Sequence, residues 1–266
     1  MDATTRQSEI VDLLNEQDRV EVDDLARRFG VSAQTVRADL RDLSTRGALS
    51  RIHGGAVRIS AAANRAYGDR RKLNAEGKQA MAAIAAEVIP ENCSVTLNIG
   101  TSTEQVARAL SGHRGLTVIS NNINIINMMM GGESRELILV GGAVRQSDGA
   151  IVGEDAVEFI SRYKVDFAVI GASAMDEDGA ILDHDAREVS VARAILKNAR
   201  TRVLVCDHGK FQRSAPVRIC DVADLDLVIT DAPVPDAFAE AARMAGTRIL
   251  IAGQSENENE SDENDG

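Results

Sequence analysis

Glutamine and arginine read base edges in a DNA major groove because each presents paired hydrogen-bonding atoms at a fixed spacing. In the stretch Ser32-Ala33-Gln34-Thr35-Val36-Arg37-Ala38-Asp39-Leu40, continued by Arg41 and Leu43, these residues fall on one side of a helix. Gln34, Arg37, Ala38 and Arg41 recur at i, i+3, i+4 and i+7, which gathers them on one polar face. Val36, Leu40 and Leu43 share that period on another face and should pack inward. Ser32 stands at the N-cap, and Gly30 before it closes a short helix marked by Leu25, Ala26 and Phe29. After the helix, Leu49–Ile59 alternates about Gly54-Gly55 and predicts a hairpin carrying Arg51, His53 and Arg58. The chemistry expected is recognition of duplex DNA by a winged helix-turn-helix, with Ser32, Gln34, Thr35, Arg37, Arg41, Arg51, His53 and Arg58 as the candidate contacts. The plainer alternative, a small helical domain with a solvated polar face, does not explain why caps, helix phases and wing agree.

A second set of residues suits a small anion. Asn98-Ile99-Gly100-Thr101-Ser102-Thr103 closes an apolar run and opens a helix, offering free N–H groups and three hydroxyls to a phosphate. Simple N-capping accounts for those hydroxyls about as well. Asn121 and Asn122, then Gly142 and Arg145, then Asp207 and Lys210, lie just beyond later apolar runs. Each of these segments alone reads as a turn. Together, at one edge of a parallel sheet, they read as a polar anionic-ligand pocket. Asp207, Glu188 and Lys210 are also types that an enediol isomerase would use, so residue types leave an enzyme open. The DNA-reading segment favours a regulator, with no catalytic residues and no cofactor expected. Asp183-His184-Asp185 has no metal-ligand spacing and reads as a solvated loop, and no metal site is expected.

The elements that must position these groups divide the chain. Residues 1–59 make the helix-turn-helix, and residues 60–73, small and polar with no apolar period, read as a linker. Residues 74–252 alternate apolar runs with helical segments, the pattern of a mostly parallel α/β sheet covered on both faces. Strands are predicted at 95–99, 116–120, 137–140, 166–170, 202–205, 227–230 and 248–251. The last residues, 253–266, form an acidic tail in which 255–266 hold six acids and no base.

The formal net charge of −11 is unusual for a DNA binder, but residues 28–72 carry ten Arg/Lys against Asp39, Asp42 and Asp69. No apolar run is long enough to span a membrane, the first residues lack a secretory core, and the three cysteines form no C-x-x-C pair. A reduced, cytoplasmic protein is expected.

Arg6 through Leu40, followed by Arg51, His53, Gly54, Gly55 and Ala56, resembles the signature of the DeoR family of bacterial repressors. Ala38 departs from it where relatives often carry a basic residue, and Ala33 where some carry proline. The larger domain is similar to the effector domain of that family at Gly100-Thr101, Asn121-Asn122, Gly141-Gly142, Arg145, Asp148-Gly149, Gly153-Glu154, Asp166-Phe167, Glu188-Val189, Asp207-His208-x-Lys210-Phe211 and Thr230-Asp231-Ala232-Pro233. The resemblance implies a fold related to ribose-5-phosphate isomerase and CoA-transferase-like proteins. It implies operator DNA as partner, a homo-oligomer, and a sugar- or polyol-phosphate inducer, glycerol 3-phosphate first among them. The phosphate would sit at the Gly-Thr loop and the rest of the ligand against Asp207 and Lys210.

Overall fold

The computed structural model describes residues 3–17, 19–45, 49–52, 54–57, 67–132 and 136–253. The chain separates into two compact units, Met1–Ala66 and Tyr67–Gly266. The first runs α1 (Ala3–Gln17), β1 (Arg19–Glu21), α2 (Val22–Phe29), α3 (Ala33–Thr45), β2 (Ser50–Ile52) and β3 (Gly55–Val57). Ile10 and Leu14 of α1, Leu25 of α2, and Val36, Leu40 and Leu43 of α3 meet in one apolar cluster. Gly30 ends α2 in the left-handed region. Ser32 caps α3 by accepting the Thr35 N–H at 3.1 Å.

The wing has a third strand that sequence alone does not reveal. β1 pairs antiparallel with β3, giving the order β1-β3-β2. The two glycines of the turn therefore do different work. Gly54 takes a φ of 83°, whereas at Gly55 a Cβ would overlap the Val20 carbonyl oxygen of β1. Only glycine lets β1 approach that closely.

The second unit begins earlier than expected. Residues 67–72, assigned above to the linker, form a helix, α4 (Tyr67–Lys72), whose side chains bond to this unit. It then runs α5 (Ala75–Val88), β4 (Ser94–Leu97), α6 (Thr101–Ala109), β5 (Thr117–Ser120), α7 (Ile123–Met129), β6 (Glu136–Leu139), α8 (Glu154–Ile160) and β7 (Val165–Ile170). There follow β8 (Ala174–Met175), β9 (Ala180–Asp183), α9 (Ala186–Lys197), β10 (Ala199–Val205), β11 (Val217–Asp221), β12 (Leu227–Thr230), α10 (Asp236–Ala245) and β13 (Arg248–Ile251). Seven strands make one sheet in the order β13-β12-β10-β7-β4-β5-β6, every neighbouring pair parallel. Its strands alternate their side chains between two cores: Val203 and Val205 of β10 face Met81, Val106 and Ile125, while Leu204 faces Ile160, Ile195 and Phe238. The sheet is thus covered by helices on both faces.

A second, antiparallel sheet, β11-β9-β8, was not anticipated. Cys93, Cys206 and Cys220 are free thiols, and burial pushes Cys206 up to about 12. No helix among the described residues is long and apolar enough to cross a membrane. The acidic tail beyond Gly253 lies outside the described residues.

Candidate DNA-reading face and effector site

In the first unit, the buried face of α3 carries Val36, Leu40 and Leu43, and Gln34, Arg37, Ala38 and Arg41 are exposed. Ser32 and Thr35 join their hydroxyls at 2.9 Å, so both serve the cap that fixes where α3 begins. His53 and Arg58 lie outside the described residues, and of Arg51 only the backbone, in β2, is described. Asp39 turns inward: Arg6 Nε and Nη2 reach its two oxygens at 2.6 and 3.2 Å, and Gln7 adds a bond at 3.2 Å. This buried fork binds α1 to α3, a role for Arg6 that motif matching alone does not supply.

In the second unit the candidate effector residues follow strands on either side of the point where strand order reverses. From β4 the chain steps outward to β5 and β6, then returns to the other side of β4 for β7, β10, β12 and β13. Open parallel sheets bind ligands beyond the carboxyl ends of the strands at such a point. The Gly100–Thr103 loop follows β4 there, and α6 starts at Thr101. Glu104 N–H is the first to bond back, to Gly100 at 3.0 Å, leaving the earlier amides of this turn without acceptors inside the helix. Two of the three expected hydroxyls are already engaged. Thr103 donates to the Gly100 carbonyl at 2.8 Å, and Thr101 donates to the Arg70 carbonyl at 3.4 Å.

Lys78 ties the end of α4 to α5 and lies near enough to Asp207 to feel its charge. It is buried, 3% exposed, and its ammonium donates to the carbonyls of Arg70 at 2.5 Å and Leu73 at 2.7 Å. Burial lowers its pKa to about 8, opposed by Asp207 and reinforced by Lys210, Arg213 and Arg70. His184 is likewise held below its usual value by burial, and feels Asp183, Lys210, Arg213 and Arg70. Asp207 and Asp183 thus lie near Lys78, His184, Lys210 and Arg213, while Arg70 also stands 3.6 Å from Asp148. Among the described residues neither Lys210 nor Arg213 forms an ion pair. Around them, Asn98 Oδ1, Asn121 Oδ1, Thr230 Oγ1, His184 Nε2 and Arg70 Nε are buried without a hydrogen-bond partner. Native interiors rarely leave such atoms unmatched, and a ligand would match them.

Other expected site residues serve the scaffold. Asn121 Nδ2 donates to the Ile151 carbonyl at 3.0 Å, and Asn122 caps α7 while reaching Glu104 at 3.1 Å. Gly142 is a packing requirement, since a Cβ would come within 2.8 Å of Ile151. Arg145 is occupied by Asp148 at 2.6 Å, Glu188 at 2.5 Å and Asp185 at 3.5 Å. Burial and Asp183 push the Glu188 carboxyl up, against the pull of Arg145. The residues not foreseen are Arg70, Lys78, His184, Arg213, Asn98 and Thr230. Lys78 did leave a signal, as the lone charge sharing a helical stripe with Met81, Ala82 and Ala85.

A DNA-reading helix in one unit and an anion-suited sheet edge in the other define a ligand-responsive transcription factor. The chain belongs to the DeoR family: residues 6–62 match the DeoR-like helix-turn-helix domain and residues 73–232 the DeoR C terminal sensor domain. It is a DNA-binding transcriptional repressor and not an enzyme.

Over 235 residues it is 40% identical to the glycerol-3-phosphate regulon repressor of Escherichia coli (strain K12), covering 88% of this chain and 93% of that one. The protein of that name from Haemophilus influenzae is 36% identical over 251 residues, covering 94% and 98%. The HTH-type transcriptional repressor CsqR of Escherichia coli is 33% identical over 246 residues, covering 92% and 94%. Among solved structures, ribose 5-phosphate isomerase A of Methanocaldococcus jannaschii aligns at TM-score 0.38 with 16% identity, covering 52% of this chain and 54% of that one. eIF2B beta of Chaetomium thermophilum aligns at 0.42 with 18% identity, covering 58% and 48%. The chain thus spans about half the length of these structures, and so loose a likeness says nothing of function.

Proposed function

We propose that this repressor holds a two-fold operator through paired copies of α3 and releases it when glycerol 3-phosphate, or a closely similar sugar phosphate, occupies the sheet edge. The observation that carries the reading is the set of buried polar atoms without partners, Asn98 Oδ1, Asn121 Oδ1, Thr230 Oγ1, His184 Nε2 and Arg70 Nε, with Lys210 and Arg213 close to His184. A phosphate dianion pairs with Lys210 and Arg213, and ligand hydroxyls supply hydrogen bonds to Asn98 and Thr230. Gly100–Thr103 contributes backbone amides, Lys210 an ammonium, and Asp207 an acceptor for hydroxyls. Arg145 and Asn122 shape the edge rather than touch the ligand, whereas Asn121 braces it through Nδ2 and offers its unpartnered Oδ1. The glycerol-3-phosphate regulon repressors, at 36–40% identity, favour glycerol 3-phosphate.

The protein works as a dimer or higher oligomer, because one helix-turn-helix reads too few base pairs for a specific site. Its place of action is the cytoplasm. In the wing, Arg51 and Arg58 contact phosphates, so replacing them lowers affinity for all sequences and flattens its salt dependence. The test is a titration of the operator complex with glycerol 3-phosphate: wild type should dissociate, whereas the operator-bound fraction of Lys210→Ala should stay constant. Equal release of both would remove Lys210 from the site. Light scattering that finds a monomer, free and on DNA, would overturn the two-fold arrangement.

A further inference from the structure

Helix α4 is fastened to the sensor unit at both ends by residues of the ligand edge. At its start, Tyr67 donates its hydroxyl to Glu104 of α6 at 2.6 Å and accepts from Asn124 of α7 at 3.1 Å. At its end, Lys78, the lysine that feels Asp207, donates to the carbonyls of Arg70 and Leu73. A cation there complements the carboxyl end of a helix. The Thr101 hydroxyl of the Gly100–Thr103 loop donates to that same Arg70 carbonyl.

Between these fastenings Arg70 is underused. Its Nε is buried with no acceptor. Its Nη2 stands 3.6 Å from Asp148, a carboxylate that Arg145 already binds through two bonds at 2.8 and 2.6 Å. A guanidinium N–H taken out of water without an acceptor is unfavourable, and an incoming anion relieves it. In sequence α4 begins just after residues 58–66, which connect it to the last wing strand.

We propose that Arg70 is a ligand-binding residue, and that α4 reports occupancy of the sheet edge to the chain leading towards the DNA-binding unit. The effector's phosphate recruits the free Nε of Arg70 and fixes α4 against α6. Because Lys78 and Thr101 share the Arg70 carbonyl, ligand contacts at Asp207 and at the Gly100–Thr103 loop converge on this helix. Binding energy spent in fixing α4 is then available to shift operator affinity. This inference rests on the reading of the sheet edge as the effector site.

The experiment is hydrogen exchange on the full chain with glycerol 3-phosphate, with inorganic phosphate, and with chloride at matched ionic strength, together with calorimetric titration of four variants. Exchange over residues 68–73 should slow in the phosphate ligands. Arg70→Gln should weaken glycerol 3-phosphate binding by about tenfold or more, the scale of a charge-assisted bond, and abolish that protection. Arg70→Lys should restore part of the affinity, and Lys210→Ala reads the edge itself. Tyr67→Phe, which touches no ligand, should bind glycerol 3-phosphate within about threefold of wild type yet lower the ratio of operator affinities without and with effector. If Lys210→Ala loses binding while Arg70→Gln keeps wild-type affinity, the inference fails and the effector edge stands. If α4 gains no protection although ligand binds, the reporting role fails. A wild-type chain that binds neither phosphate overturns the effector edge and this inference together.

Discussion

Replacing Asp39 by alanine removes the acceptor of a buried fork. Arg6 and Asp39 meet at 2.6 Å with side chains only 8% and 6% exposed, and Gln7 also donates to the same carboxylate. Without it, the guanidinium keeps its desolvation cost and loses the charge that neutralised it. Breaking a buried pair by deleting one partner costs about 3–5 kcal/mol. A unit the size of Met1–Ala66, at roughly 0.05–0.15 kcal/mol per residue, has about 3–10 kcal/mol in all. Asp39→Ala should therefore remove a third or more of its stability. In urea, followed by a probe placed in α3, the transition of the first unit should move down by roughly 3 M, at an m-value of about 1 kcal/mol/M. The sensor-unit transition should stay in place. The double variant Arg6→Met/Asp39→Leu should recover most of the loss, because apolar groups fill the space without a charge to neutralise. A midpoint shift equivalent to less than about 1 kcal/mol for Asp39→Ala, the range of exposed pairs, would refute the reasoning, as would a double variant no more stable than the single one.

Arg37→Ala should cost about 1–3 kcal/mol per half-site in specific operator binding with unchanged unfolding, measured by gel shift and thermal melting. Wild-type affinity would mean that the register assigned to α3 is wrong. Gly55→Ala should destabilise the first unit by at least about 1–3 kcal/mol, since the added methyl overlaps the backbone of β1. Urea unfolding checks it.

For pH, the sign follows from Lys78, whose folded pKa is about 8 against an ordinary 10.5. Below 8 it is charged in both states and its burial penalty is fully present. Between 8 and 10.5 the unfolded chain holds a proton that the folded one has released, so this group makes stability rise with pH, by up to about 1.4 kcal/mol per unit. The difference between wild-type and Lys78→Met stabilities from pH 7 to 10 isolates that rise, and a flat difference would refute it. Finally, glycerol 3-phosphate at 100 times its dissociation constant should stabilise the sensor unit by about 2.7 kcal/mol in a thermal melt.

All seven strands of the large sheet were legible in the sequence because each is a short apolar run bounded by turn residues, buried in the inner strands and partly exposed in the edge strands β6 and β13. Leu227–Thr230 and Arg248–Ile251 agree residue for residue. What escaped lies outside the large sheet, β9 and β11 among it, with four and five residues. β1 has three residues and β8 two, too few to establish a period, and they exist only because a partner strand lies beside them. α4, with no buried residue of its own, shows no apolar stripe. Its basic run reads as a solvated linker until Tyr67 is seen against Glu104.

The sequence by itself determined what is local: the capped and phased α3, the apolar strands and the glycines of their turns, since these follow from neighbours within a few positions. Only the tertiary structure decided what depends on distant residues meeting. Asp39, three positions from Val36 and inside the recognition helix, turned out to answer Arg6, 33 residues away. Arg145, read as a ligand cation, turned out to be matched by Asp148, Asp185 and Glu188. Lys78, Arg70 and Arg213, apart in the sequence, come close enough together that each bears on His184 or on one another. A charge has no function until its counter-charge is located, and fold topology, not sequence spacing, brings the two together.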